Sequence, residues 1–499
     1  MNDFIPYISS SINDTIASLA YFHPEVLLVL GFMAVILADL FLSKKVPQLS
    51  FILTLITLIA VTALNFRILN APSVQLFGGM IVLDHLAVLF KLLFCLVSIL
   101  FLLFIRFNRQ LQNHSKGTGD LSAILLAVHL GLNLMAMSAN LLMIYLSLEM
   151  VSVGSYLMVG YLSGTARQTE AAMKYALFGA VCSAIMLYGM SLLYGFTGTL
   201  DLNDPAFAAG LVDIPAFVCG FALIMVLIGV GFKLSVVPLH FWSPDVYQGA
   251  PTPVTAFLST GPKIAGFALL IRFLTAFQPD GVKGLDQSMI DFNTILAILA
   301  ISSMIIGNFG AIWQNNVKRM LAYSSIGHTG FMLMALFVFS DSGFKALIFY
   351  MVIYVIMNMA AFIIVDEIEE KTGAENVDDY RGMGRQLSIL MVIMVVVLVS
   401  LTGLPPTAGF TGKFLVFSSA LEAYNSSGSQ LVLLMIITGA ISTVVSLFYY
   451  FKIPLNAFLR EARTPSIPFE HSFKTYLSIF LAFLLIYFII FPSAIENFL

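Results

Sequence analysis

The chain has 499 residues, of which 59% are hydrophobic and only 10% charged, and its mean hydropathy is +0.96. These values lie far outside the range of soluble globular domains and call for a membrane as solvent. A net charge of −3 excludes the basic balance of a nucleic-acid binder, and Cys95, Cys182 and Cys219 lie in apolar runs without metal-ligand spacing, as inert packing residues would.

Apolar runs of about 20 residues, the length needed to cross hydrocarbon, recur along the chain. In order they cover 25–43, 49–69, 80–106, 120–138, 140–163, 169–195, 214–243, 253–277, 291–312, 320–339, 343–368, 386–424, 429–457 and 474–492. No basic region precedes the first, so a cleaved signal peptide is not expected. Lipid admits only helices or closed barrels, and these runs are too long for barrel strands. The expected fold is an all-α polytopic membrane protein of about 14 transmembrane helices. Lys44, Lys45, Arg106, Arg109, Lys116, Arg167, Lys318, Arg319, Lys371, Arg381, Arg385, Arg460, Arg463 and Lys474 fall in alternate loops; the opposite loops clearly hold only Lys283 and Lys345. Basic loops stay in the cytoplasm, so both termini are expected on the non-cytoplasmic side.

Two runs are interrupted. The seventh reads Gly229-Val-Gly-Phe-Lys233-Leu-Ser-Val-Val-Pro238-Leu-His240-Phe-Trp242, and the twelfth Gly403-Leu-Pro-Pro-Thr-Ala-Gly-Phe-Thr-Gly-Lys413. Proline removes a donor and clashes with the preceding turn, so each helix should break near mid-membrane. Breaks in corresponding spans point to an inverted-repeat transporter. The expected organisation is an N-terminal three-helix segment (1–119), two five-helix repeats (120–277 and 278–457) and a C-terminal helix (458–499).

Glu149, Lys174, Lys233, Lys263 and Lys413 all lie inside apolar runs. Each intramembrane charge costs at least about 2.5–3.5 kcal/mol, and the default explanation is a path for ions or protons. Glu149 has no partner within one turn, which makes Lys233 its natural counter-ion and the pair a switch. A static ion pair is the rival reading. His240, just past the first break, is a plausible relay between Lys233 and Lys263. Lys174 either shares in function or forms an i,i+4 pair with Glu170. His328 is equally a packing residue or a relay member. His85, His114, His129 and His471 read as ordinary core or interfacial histidines, and Asp39, Asp84, Asp366 and Glu367 as span-end groups reaching water. No soluble domain, phosphate loop or haem-ligand pattern is present in the sequence.

The stretch from Lys233 to Ser259 with Pro262-Lys263, the run Val317-Lys-Arg-Met-Leu-Ala-Tyr-Ser-Ser-Ile-Gly-His328, and Gly403 to Lys413 resemble the antiporter-like membrane subunits of respiratory complex I, the proton-pumping NADH:quinone oxidoreductase. The resemblance covers essentially the whole chain. Within the family it is to the N-type chains: the M-type carries glutamate where Lys413 stands, and the L-type continues into a long lateral helix. The resemblance implies proton transfer by Glu149, Lys233, His240, Lys263 and Lys413, with a weaker role for Lys174. It implies that NADH, flavin, iron-sulfur clusters and quinone belong to partner subunits, with no cofactor in this chain. M-type and small K- and J-type subunits would flank it in the bacterial inner membrane, with lipid around it. The alternative is a subunit of a Mrp-type cation/proton antiporter; related hydrogenase subunits lie between the two, and a purely structural anchor would leave the buried charges unexplained.

Overall fold

The computed structural model describes residues 5–43, 45–46, 48–114, 117–212, 214–277, 292–462 and 472–498, with only the backbone for 5–11. Lys44, Lys116, Lys283, Arg463 and His471 lie outside the described residues. In chain order the elements are α1 (Ile5–Leu19), α2 (His23–Leu42), α3 (Leu49–Arg67), β1 (Val74–Leu76), β2 (Ile81–Leu83), α4 (His85–Phe107), α5 (Arg109–Gln112), α6 (Gly119–Met137), α7 (Leu141–Val159), α8 (Ala166–Thr197), α9 (Pro205–Val212), α10 (Ala216–Leu234) and α11 (Trp242–Gly249). They continue with α12 (Thr252–Thr275), α13 (Phe292–Ile312), α14 (Val317–Phe337), α15 (Asp341–Thr372), a 3-10 turn (Val377–Tyr380), α16 (Met383–Gln386), α17 (Ser388–Thr402), α18 (Ala408–Ser427), α19 (Gln430–Leu459), α20 (Phe473–Ile490) and α21 (Ser493–Glu496).

Among the described residues, 13 helices are long and apolar enough to cross a membrane, and the split pair α17 and α18 occupies the place of one more. Each expected span finds its helix. Two local features differ. Helix α1, too short and too polar to read as a span, precedes the first run. Residues 81–83, which the apolar pattern joins to the third span, pair instead with 74–76 as an antiparallel hairpin. Helix α4 begins only at His85 because the Asp84 carboxylate accepts from the Ala87 amide and fixes the N-terminus there.

Burial sorts the helices into layers. The apolar stretch of α12 is wholly enclosed, and those of α14 and α15 nearly so, whereas α2, α3, α19 and α20 bury about a third of theirs. A helix apolar all round must face either protein or lipid. The three inner helices carry Lys263, His328, Tyr350 and Tyr354, while Tyr450 belongs to α19 and Glu149, Lys233 and Lys413 to α7, α10 and α18.

The two broken helices are each the fourth of five crossings: α6, α7, α8, α10/α11, α12, then α13, α14, α15, α17/α18, α19. Ser235 (φ +55°) ends α10 and Gly403 (φ +84°) ends α17, both left-handed, and each break contains a cis X-Pro bond, Val237–Pro238 and Pro405–Pro406. The freed backbone groups find protein partners, as a low-dielectric interior demands. Thr329 donates to the Leu234 carbonyl at 3.2 Å, the Trp242 indole to Phe232 at 3.1 Å, and the Val237 amide to the Ser303 hydroxyl at 3.1 Å. At the second break the Gly409 amide donates to the Ser400 hydroxyl at 3.2 Å.

Candidate functional site

Lys233 is the penultimate residue of α10 and 3% exposed. Among the described residues its Nζ has no hydrogen-bond partner and instead faces the rings of Tyr175 (5.6 Å), Tyr156 (5.7 Å) and Phe232 (6.0 Å). Cation–π attraction in such a cage is worth about 0.5–2 kcal/mol, which offsets only part of the desolvation of an ammonium. Glu149 Oε1 is likewise buried without a partner. The closed Glu149–Lys233 pair expected from the sequence is not the arrangement seen: among the described residues neither side chain enters an ion pair within 4.0 Å. They remain within electrostatic reach of one another, and the charge of Glu149 also acts on Tyr156, whose ring Lys233 faces. The physical reason is that the aromatic rings occupy the first contact shell of the lysine.

Helix α12 brings Lys263 beside this end of α10. Gly266, one turn beyond Lys263, has no side chain to obstruct; a Cβ there would lie 2.9 Å from the Leu234 side chain and 3.6 Å from Lys233 Cβ. Lys263 Nζ donates to the Ser325 hydroxyl at 2.6 Å and to the Ser325 carbonyl at 3.1 Å. The Ser325 hydroxyl is also 2.6 Å from the Tyr354 hydroxyl. One turn along α14, His328 Nδ1 lies 2.7 Å from the Tyr350 hydroxyl and Nε2 3.2 Å from the Tyr450 hydroxyl, which is itself bonded to Ser324. His328 is therefore built into a hydrogen-bonded cluster, and the charges of Lys263 and Lys413 both act on it. Apart from the Ser325 carbonyl, the links are hydroxyls and an imidazole, which both donate and accept, and the Lys263 amine, which accepts once it has lost its proton.

Lys413 is the sixth residue of α18 and 4% exposed. Its Nζ donates to the Thr402 carbonyl at 2.8 Å, one of the acceptors freed where α17 stops, and faces the Phe331 ring at 4.6 Å. Tyr350 packs against Gly412, where a Cβ would come within 2.8 Å of the ring, so the His328 cluster abuts Lys413. Lys233 and Lys413 do not stand at equivalent places, although each belongs to a broken helix. The first precedes its break and the second follows its own.

His240 lies in the first break, 6% exposed, with Nδ1 unpartnered and its ring 4.5 Å from that of Phe241. Among the described residues no hydrogen bond joins it to Lys233 or Lys263. Lys174 makes the expected i,i+4 pair with Glu170 at 2.7 Å and, in addition, an ion pair with Asp245 of α11 at 2.6 Å. Arg319 of α14 holds the other oxygen of Asp245. Asp245 thus accepts from two cations at once, Lys174 on one oxygen and Arg319 on the other.

Two charged clusters escaped the sequence reading. Lys91 of α4 and Glu25 of α2 form an ion pair at 2.7 Å with both side chains 0% exposed, and Asn133 donates to Glu25 at 3.2 Å. Lys91 sits inside an apolar run as the other lysines do, so the same criterion finds it; Glu25, at the start of a run, reads only as a boundary. His129, close by, is a buried core histidine 2.8 Å from the Ser98 hydroxyl. At the other end of the fold, Asp366 and Glu367 do not reach water. They are 3% and 1% exposed, because α20 covers that end of α15. Lys474 pairs with Asp366 and Glu370 at 2.6 Å each, Lys371 with Glu367 at 2.8 Å, and Asn108 donates to Asp366 at 2.9 Å. Asp84, by contrast, is a partly exposed end group, paired with Arg272 at 2.5 Å.

Comparison with known proteins places this geometry among relatives. Residues 138–442 match the family described as NADH:quinone oxidoreductase/Mrp antiporter, transmembrane region. The protein of Chlorobium chlorochromatii called NADH-quinone oxidoreductase subunit N is 39% identical over 456 residues, covering 91% of this chain and 88% of that protein. Among solved structures, a chain of respiratory complex I from Thermus thermophilus superposes with a TM-score of 0.75 at 30% identity, covering 94% of this chain and 97% of that one. A chain of the Mrp complex from Dietzia sp. DQ12-45-1b gives a TM-score of 0.78 at 18% identity, covering 96% of both. The last likeness is one of fold alone.

Proposed function

This chain belongs to the NADH:quinone oxidoreductase/Mrp antiporter family of membrane subunits and is a multi-pass membrane subunit of NADH-quinone oxidoreductase; we propose that protons cross it along Glu149, Lys233, Lys263 and Lys413. The observation that carries the proposal is the cluster of α12, α14 and α15. Lys263, Ser325 and Tyr354 form one hydrogen-bonded set and His328 with Tyr350 a second, with contacts of 2.6–2.7 Å, and the His328 and Tyr354 rings, 5.4 Å apart, set the two side by side on the way toward Lys413. A structural lysine needs one partner; a transfer path needs successive groups that both accept and donate, and these do.

Electron transfer in partner subunits perturbs the Glu149–Lys233 couple. When the glutamate moves away, Lys233 loses its counter-charge and passes its proton on; when it returns, Lys233 recovers one. Lys263, His328 and its tyrosines carry the proton toward Lys413, and His240, buried in the break, serves as a relay between Lys233 and Lys263. NADH, flavin, iron-sulfur clusters and quinone are held by other subunits. M-type and small K- and J-type chains flank this one in a bacterial inner membrane, with both termini on the non-cytoplasmic side. The transport unit is the pair of repeats 120–277 and 278–457, to which 1–119 and 458–499 are added. The higher identity to NADH-quinone oxidoreductase subunits supports this reading over the Mrp-type antiporter.

Affinity purification of the tagged chain tests the assignment. NADH dehydrogenase subunits should come with it in fixed ratio; recovery with cation/proton antiporter subunits alone would refute it.

A further inference from the structure

The prolines of the two breaks give the repeats a common register. Asp245 follows Pro238 by the same seven residues as Lys413 follows Pro406. The repeat mate of Lys413 is therefore Asp245, while Lys233, which precedes its proline, matches Leu401. Asp245 holds Lys174 of α8 at 2.6 Å from the facing helix, beside the i,i+4 partner Glu170 at 2.7 Å, with Arg319 of the second repeat on its other oxygen. At the same time Glu149, on the neighbouring helix α7, is half-buried, and its enclosed Oε1 has no hydrogen-bond partner among the described residues. Helices α7 and α8 are joined by the short connection 160–165 and so run antiparallel. Glu149 lies ten residues before the end of α7 and Lys174 eight residues after the start of α8. At 1.5 Å per residue, both stand roughly 12–15 Å from that connection, at the same depth.

We propose that Lys174 exchanges between two carboxylates, Asp245 and Glu149, and that Asp245 is the positioning residue that decides whether Glu149 is free to pair with Lys233. With Lys174 on Asp245, Glu149 is left for Lys233. With Lys174 on Glu149, Lys233 stands without its counter-charge and its N–H proton passes to a neutral Lys263. Arg319 competes with Lys174 for the same carboxylate, so a shift of α14 in the second repeat changes how firmly the first repeat holds Lys174. This rests on the proton-transfer reading above.

The test is proton translocation per NADH oxidised by the assembled complex in proteoliposomes, for Asp245→Asn, Lys174→Met and the double variant. Asp245→Asn should lower translocation several-fold, because Lys174 then settles on Glu149. Lys174→Met should lower it less, and the double variant should recover to the Lys174→Met level. Asp245→Glu should restore wild-type behaviour. Unchanged translocation in Asp245→Asn, or a double variant as poor as Asp245→Asn, overturns the exchange. Failure of both Asp245→Asn variants to assemble gives Asp245 a structural role alone and overturns it equally. Lys233→Ala in the same assay separates the two levels: normal translocation there refutes the proton line itself, whatever the Asp245 variants do.

Discussion

Replacing Lys91 by methionine should cost about 3–5 kcal/mol of stability, the penalty for leaving a buried charge without its partner. Glu25 and Lys91 are both fully enclosed, and among the described residues the one donor left to Glu25 is Asn133 at 3.2 Å. Among the described residues Glu25 Oε2 has no hydrogen-bond partner even with Lys91 in place. Without the ammonium the carboxylate must take up a proton or draw water into the contact between α2, α4 and α6. The double variant Glu25→Gln with Lys91→Met should regain most of the loss, because a neutral pair carries no unpaired charge. Thermal denaturation of the purified complex reads both values. A Lys91→Met protein as stable as wild type would mean that Glu25 is already neutral or hydrated.

Replacing Lys263 should stop proton movement without unfolding the chain. Its Nζ is bonded to both oxygens of Ser325, and no other lysine lies on α12. In a path of successive sites the loss of one group interrupts the whole. Lys263→Met should therefore lower translocation at least about tenfold, equivalent to roughly 1.4 kcal/mol on the limiting step. Lys263→Arg separates chemistry from architecture. Arginine keeps the charge and the donors but does not deprotonate in proteins, so a structural lysine is rescued by it and a proton carrier is not. Proteoliposome pH-quench measurements should find Lys263→Arg as defective as Lys263→Met; recovery by arginine would make the Ser325 contact a structural tie.

The helical architecture was legible because a membrane-spanning helix announces itself by length and apolarity, and because proline beside lysine marks a break that no soluble pattern imitates. The buried lysines stood out for the same reason. Their partners did not. Ser325, Tyr350, Tyr354 and Tyr450 come from three helices and look like ordinary apolar-run residues until α12, α14, α15 and α19 pack. Asp245 lay in a polar stretch, where a carboxylate attracts no notice. Asp366 and Glu367 seemed to reach water because their burial depends on α20, more than a hundred residues away. Glu149 and Lys233 were expected as a closed pair and stand apart instead, because the rings of Tyr156 and Tyr175 that face Lys233 could not be read from spacing. Tertiary contacts made by remote helices thus decide both the open state of that couple and the identity of the relay groups.

Proton translocation by the assembled complex carrying Glu149→Ala together with Lys233→Ala is the most direct measurement of the proposed path. The variant should incorporate with wild-type stoichiometry of subunits, and NADH-driven proton movement should be strongly depressed, with coupled NADH oxidation slowed alongside it. Full translocation by that assembled double variant would show that protons do not depend on these two residues and would contradict a line of transfer beginning at Glu149 and Lys233.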